Sequence, residues 1–223
     1  MSKASYSHPI FARLFSWFVP FAEHLGISEH RDELLAGLTG RVVEIGAGSG
    51  ANFFHYPDSV IEVVAVEPEP YLRTRALQAA RLSSVPVQVV AGMAESLPVR
   101  SGAFDAAVVS LVLCSVNDQI AALSELFRVL RFGGELRFYE HVLAEEPSLA
   151  CWQRRVDLIW PHLAGGCHTS RDTLHTIEQA GFLIITHRRF AFLPCILSAP
   201  VSPHVIGRAI KQLDATPEAV DGT

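Results

Sequence analysis

Residues 42–50 read Val42-Val43-Glu44-Ile45-Gly46-Ala47-Gly48-Ser49-Gly50. An apolar, β-branched run passes straight into three glycines spaced two apart, with a carboxylate two residues before the first. The run suits a strand buried on both faces. The glycines let the chain turn sharply and bring backbone N–H groups against a ligand, and a helix N-terminus after such a turn favours negative charge. The stretch therefore reads as a strand of an α/β domain with a nucleotide-type site at its carboxyl end.

Two chemistries fit that loop. Gly46-x-Gly48-x-x-Ala51 satisfies the dinucleotide fingerprint, with an acid, Glu67, at about the expected 20 residues further on. Glu44-x-Gly46-x-Gly48-x-Gly50 equally fits a loop that holds S-adenosylmethionine (SAM). In either case Glu67, which closes Val64-Ala65-Val66-Glu67-Pro68, can accept hydrogen bonds from ribose hydroxyls, and its charge disfavours a 2′-phosphate.

Around the loop the chain alternates strand and helix. Strands are predicted at Val42–Gly46, Glu62–Glu67, Val87–Ala91, Ala106–Ser110, Glu135–His141 and Leu183–Arg188, with a last one over His204–Lys211. Helical patterns fall at about residues 50–56, 70–82, 118–130, 148–163 and 170–180. Asp118 is the expected N-cap of the third of these, Thr169 or Ser170 that of the last, and Gly133 and Gly181 are expected stops. The fold class is α/β, a Rossmann-like doubly wound sheet of about seven strands, mostly parallel with an antiparallel last strand and helices on both faces. Residues 1–40 are read as an N-terminal helical cap, 41–213 as the domain and 214–223 as a flexible tail. In the cap, Phe11, Leu14, Phe15, Phe18, Ala22 and Leu25 follow helical spacing, with a kink expected at Pro20.

Composition narrows the function. With 49% hydrophobic and 18% charged residues in 223, the chain has the material for one full core. A net charge of -5 argues against binding nucleic acid. The apolar stretch Leu14–Ala22 is far short of the roughly 20 residues a membrane span needs, and it is too poor in basic residues to favour peripheral membrane contact. Cys114, Cys151, Cys167 and Cys195 form no CxxC pair, and no secretory signal is read at the start. Reduced thiols in a cytoplasmic protein are expected.

From Arg41 to about Lys211 the chain resembles the class I SAM-dependent methyltransferases. Residues Glu44–Gly50 and Val66-Glu67-Pro68 carry that resemblance, followed by Ala91-Gly92-Met93-Ala94-Glu95-Ser96-Leu97-Pro98, Phe104-Asp105 and Leu130-Arg131-Phe132-Gly133-Gly134. Within that superfamily it is similar to the thiol methyltransferase-like group, through Gly50-Ala51-Asn52-Phe53, Leu111–Val116, Glu140-His141-Val142, Gly165-Gly166-Cys167-His168, Pro203-His204 and Gly207. The resemblance implies that Glu44, Gly46, Ala47, Gly48, Gly50 and Asn52 form the loop against SAM. It implies that Glu67 and Pro68 meet the ribose, Met93, Ala94 and Glu95 border the adenine, and Ser110 and Leu111 close over the methionine portion. Many relatives carry aspartate where Met93 stands, and a thioether offers only a soft apolar contact in its place. A backbone carbonyl or Glu95 would then meet the adenine amino group.

Methyl transfer from SAM needs alignment and exclusion of water more than a catalytic triad. The acceptor's demands depend on its kind: a thiol must reach the thiolate, a hydroxyl needs a base. His141, at the end of the fifth strand, is the candidate base. Cys114, Cys167 and His168 are candidate pocket residues, and Trp152, Trp160 and Phe192 offer apolar material for the acceptor. His141, His162, Cys167 and His168 lack the CxxC or HxxxH spacing that anchors zinc, so no metal is expected. The thiols of Cys114, Cys151 and Cys167 could hold a soft metalloid only if they converge in space. The leading reading is S-methylation of a small apolar thiol. An O- or C-methyltransferase of the quinone-biosynthesis type is the alternative within the class, and an NAD-dependent oxidoreductase the alternative outside it.

Overall fold

A computed structural model describes Arg13 and residues 26–212. The aromatic helix expected over 11–25 and the tail from Asp214 lie outside the described residues. Seven strands form one sheet: β1 (Gly40–Ile45), β2 (Val60–Val66), β3 (Val87–Val90), β4 (Phe104–Ser110), β5 (Leu130–His141), β6 (Phe182–Ala191) and β7 (Pro203–Lys211). Their order is β3-β2-β1-β4-β5-β7-β6. The first five run parallel, and β7 lies antiparallel between β5 and β6. The expected sheet is the observed one.

Period-two alternation builds two cores. Val43, Ile45, Val64, Val66, Ala107, Val109, Leu136 and Phe138 point to one face, under α3 (Gln119–Val129) and α6 (Thr173–Gln179). Val42, Val63, Ala65, Ala106, Val108 and Tyr139 point to the other, where Leu34 and Leu35 of α1 (Ser28–Leu35) and Ala76 of α2 (Pro70–Ala80) pack. Because both faces are covered, the strands carry long apolar runs, and Glu44 is a carboxylate buried within one.

Local signals set most helix starts. Asp118 accepts from the Ala121 N–H at the start of α3, as expected. Glu69 and Glu146 cap α2 and α4 (Pro147–Val156), each with proline in the first turn. Four local expectations need correction. The helix expected over 50–56 is a single 3-10 turn, Ala51–Phe54, because Pro57 disfavours helical backbone at the residue before it. The 148–163 segment divides into α4 and a short α5 (Trp160–Leu163), with Asp157 turned to bond the Thr169 N–H. The cap of α6 is Asp172, which accepts from the His175 N–H; the Thr169 hydroxyl instead donates to the Gln153 carbonyl. Helix α3 ends at Val129, close to the expected 130, but Gly133 is not its stop: Lys211, from the end of β7, donates to the Phe127 and Leu130 carbonyls there. Gly181 follows the end of α6 as expected.

Gly207 shows how tightly β7 is wedged. A Cβ at this position would lie 2.4 Å from the Thr186 carbonyl oxygen and 2.6 Å from the Phe138 ring, where the β6–β7 register shifts between Ile184 and Thr186. Backbone cannot yield as a flexible side chain would. Gly207→Ala is therefore expected to destabilise the protein by about 3 kcal/mol, the upper end of overpacking costs, read as a lowered urea midpoint with an unchanged slope.

Candidate active site

Parallel strands gather their carboxyl ends on one edge, and the order reverses between β1 and β4. That switch point is where α/β sheets bind ligands. A cavity of about 440 Å³ opens there. The strand order acts as a ruler along it. The β3 loop with Met93 and the β2 end with Glu67 stand on one side, the glycine loop in the middle, and the β4 and β5 ends on the other. From β2 to β5 is three strand spacings, about 14 Å.

The glycine loop folds against β2. The Gly46 N–H donates to the Val66 carbonyl at 2.8 Å, and the Gly48 N–H donates to Glu67 Oε2 at 2.8 Å. Gly46 has φ +62°, and a Cβ there would come within 2.5 Å of the Val112 side chain, so only glycine fits. Gly50 also takes a left-handed φ and packs against Phe53 and Ala79. It shapes the turn but is not part of the cavity wall, whereas Gly46, Ala47, Gly48 and Ser49 are.

Beneath the loop lies a buried polar network. Glu44 accepts from Asn52 Nδ2 and from the Tyr56 hydroxyl, each at 2.8 Å, and Arg31 Nη1 donates to Asn52 Oδ1. Arg31, Glu44 and Asn52 all face the cavity. Sequence reasoning missed Arg31, because it stands on α1 with no motif around it. Burial pushes the Glu44 carboxyl up to about 7 against the two hydrogen bonds it accepts.

Glu67 has one oxygen on the Gly48 N–H and the other on the Glu69 N–H, which leaves lone pairs of both free for donors from the cavity. Burial is the main cause that lifts it to about 7. Pro68, Met93, Ala94 and Glu95 line the same side. Glu95 Oε1 is already engaged by the Asn117 N–H at 3.0 Å, so its first bond goes to the segment leading into α3. Ser110 and Leu111 line the middle. Leu111 holds a positive φ of 59°, secured by its N–H donating to the Tyr139 carbonyl at 2.7 Å. The Ser110 hydroxyl is buried in the wall with no hydrogen-bond partner.

At the β5 end, Glu140 accepts from the N–H groups of Val112, Leu113 and Cys114 and so fixes the loop after β4. Burial lifts this carboxylate to about 7, and its part in holding the loop was not readable from the Glu140-His141-Val142 motif in which it stands. Cys114, His141 and Cys167 come together here, their ligand atoms all within 4.8 Å of one another, with Cys167 Sγ 3.4 Å from His141 Nδ1. Hydrogen bonding from Cys114, then the neighbouring His141, holds the Cys167 thiol down, while Cys114 is pushed up by that same bond and by burial. His204 packs edge-on to His141 at 4.7 Å; burial, then His141, lowers it to about 3, so it is a neutral ring.

Two expected pocket residues lie elsewhere, and one thiol stays apart from the others. His168 is not in the cavity wall: its Nδ1 lies 2.9 Å from Asp157 Oδ2 and its N–H bonds the Cys114 carbonyl. Trp152 is also outside the wall, although Trp160 and Phe192 are in it. Cys151 is exposed and does not join the other thiols.

The cavity fits SAM on its own chemistry. It pairs a carboxylate with spare acceptor capacity at β2 and glycine backbone at β1 with an orphaned hydroxyl at β4 and an arginine facing inward. The comparisons agree. A family model described as a methyltransferase domain matches residues 43–138. The thiol S-methyltransferase TMT1B of Homo sapiens is 36% identical over 183 residues, covering 79% of this chain and 74% of its own. The demethylmenaquinone methyltransferase of Renibacterium salmoninarum is 32% identical over 96 residues, 43% of this chain and 39% of its own. A structure of geranyl diphosphate methyltransferase in complex with SAM shares the fold, with a TM-score of 0.66 at 16% identity over 84% of this chain and 85% of that one.

Sheet, loop and cavity together define a class I SAM-dependent methyltransferase. The chain belongs to that class, in the family of the thiol S-methyltransferases, and methylates a small molecule. The hydride-transfer alternative is thereby set aside.

Two outcomes are expected. Glu67→Ala should weaken SAM binding by about 1.5–3 kcal/mol in calorimetry, the loss typical of hydrogen bonds to a charged group. Glu44 gives a pH signature. Its carboxyl ionises near 4.5 when unfolded and about 7 when folded, so the unfolded chain loses its proton first and stability falls as pH rises through that window. The stability of the parent relative to Glu44→Gln should decline from pH 4.5 to 7 and stay level outside it.

Proposed function

We propose that this enzyme S-methylates a small, apolar thiol. The observation that carries the reading is the far end of the SAM cavity. There Cys114, Cys167 and Val201 form an apolar cluster with Trp160 and Ala164, and His141 stands at its edge. The name borne by TMT1B and TMT1A, each matching 79% of this chain, supports the same acceptor atom. The demethylmenaquinone methyltransferase of Renibacterium salmoninarum matches a smaller share, 43% of this chain, so its name weighs less on the acceptor.

SAM supplies a methyl group already activated on a sulfonium. The chain's residues have the remaining tasks. Glu67 and the Gly46–Gly48 backbone would hold the ribose and methionine portions, with Met93 and Ala94 against the adenine. Ser110, Leu111 and Arg31 would meet the amino-acid end. Trp160, Phe192 and Val201 exclude water from the acceptor side, which strengthens electrostatic contacts within it. The acceptor thiol must lose its proton before it attacks, and His141 and the two cysteines are the polar side chains at that end.

No helix among the described residues is long and apolar enough to cross a membrane. We place the enzyme in the cytoplasm, where Cys114 and Cys167 remain thiols. Small molecules are its partners in this reading and nucleic acid is not. Residues 1–40 are proposed to cap the domain.

In an assay for S-adenosylhomocysteine, small alkanethiols should be turned over and phenols or quinones of similar size should not. The reverse preference would overturn the thiol reading. His141→Ala should lower turnover at least about tenfold, as removal of a proton-handling group does, while SAM affinity holds.

A further inference from the structure

Cys114, His141 and Cys167 come from three separate loops: the one after β4, the end of β5, and the glycine-preceded segment Gly165-Gly166-Cys167 after α5. Their ligand atoms nonetheless lie within 4.8 Å of one another. Zinc held tetrahedrally, with sulfur at about 2.3 Å and nitrogen at about 2.0–2.1 Å, separates its ligand atoms by roughly 3.4–3.8 Å. The Cys167 Sγ to His141 Nδ1 distance of 3.4 Å already meets that spacing. The longest side of the triangle needs to close by only about 1 Å.

The backbone around the cluster is fixed from several directions. Glu140 takes three N–H groups of the Cys114 loop. The His168 N–H donates to the Cys114 carbonyl at 2.8 Å, which ties the two cysteine segments together, and the Cys167 N–H donates to the Ala164 carbonyl at 3.1 Å. Asp157 holds the next residues through His168 Nδ1 and the Thr169 N–H. Such outer support for ligand-bearing loops is typical of metal centres.

We propose that Cys114, His141 and Cys167 form a three-ligand site for a thiophilic divalent cation, zinc above all, with its fourth position open to the SAM cavity. Two thiolates and an imidazole are the donors zinc prefers, and three protein ligands with one vacancy is the pattern of catalytic rather than structural zinc. All three residues line the cavity, so the vacancy faces the space where the acceptor would lie. The role in catalysis rests on the thiol reading above, whereas the binding of metal does not. An acceptor thiol entering the fourth position would lose its proton to water and bond the ion through a sulfur lone pair. That sulfur would then take the methyl group as the sulfonium's carbon–sulfur bond breaks, its electrons passing to S-adenosylhomocysteine, and the thioether, a weaker ligand, would leave. His141 is a ligand through Nδ1 in this arrangement, so that nitrogen takes no proton from the acceptor.

The test uses the full chain, stripped with a chelator under reducing conditions and reloaded with cobalt(II) as a spectroscopic stand-in for zinc. One cobalt per chain is expected, with thiolate-to-metal charge-transfer bands and visible bands of tetrahedral intensity. Addition of 2-mercaptoethanol should shift the visible bands. Cys114→Ser and Cys167→Ser should each weaken cobalt binding at least about tenfold while SAM binding by calorimetry persists, and Cys151→Ser should leave both unchanged. Substoichiometric cobalt in protein that still binds SAM would overturn the site, as would unaltered binding by Cys114→Ser, or a Cys114–Cys167 disulfide in protein purified without reductant. Full thiol turnover by metal-free protein would overturn the catalytic role and return His141 to that of a base. Tight cobalt binding with no thiol turned over would instead count against the thiol reading and leave the metal site standing.

Discussion

The glycine loop stays where it is because the neighbouring strand holds it. Val66 accepts from the Gly46 N–H and Glu67 from the Gly48 N–H, so the end of β2 shapes the turn that leaves β1. The Val112 side chain closes on the same turn from the β4 side, where a Cβ on Gly46 would sit 2.5 Å from it. Three strand ends thus meet over one loop. The bonds that fix the loop use only part of the Glu67 carboxylate, and the capacity left over suits a ribose.

That arrangement places polar groups in a deeply buried setting. Glu44, Glu67 and Glu140 all lie at the carboxyl ends of parallel strands, and burial lifts each to about 7. Each also accepts at least two hydrogen bonds, without which an ionised carboxylate there would be far more costly. Glu44 supports the loop from below, Glu67 faces the cofactor, and Glu140 secures the loop that bears Cys114. Stability given up in burying three acids returns as a cavity whose walls are held by the protein's own hydrogen bonds.

Signals read within a few residues held well. The strands, their alternation between two cores and the Asp118 cap all follow from local pattern. Errors came where a distant residue competed for a local group. Thr169 was a plausible cap until Asp157 and the Gln153 carbonyl took its N–H and hydroxyl. His168 looked like a pocket residue for its place after Cys167, but the same aspartate turns it away from the cavity. Arg31 carried no motif and Glu140 stood in one without a role, since the importance of each lies in what the fold brings against it.

By itself the sequence determined the sheet and its cofactor loop. A β-branched run, glycines two apart and an acid at the end of the next strand are constraints on consecutive backbone, and backbone geometry is local. Tertiary structure alone decided what stands at the other end of the cavity. Cys114, His141 and Cys167 are separated by 27 and 26 residues and share no spacing rule, and they meet because β4 and β5 are neighbours and the segment after α5 folds back over both. Cys151, with the same thiol, stays at the surface on the outer side of α4. Side-chain chemistry was written in the chain, but the convergence of those side chains belonged to the fold.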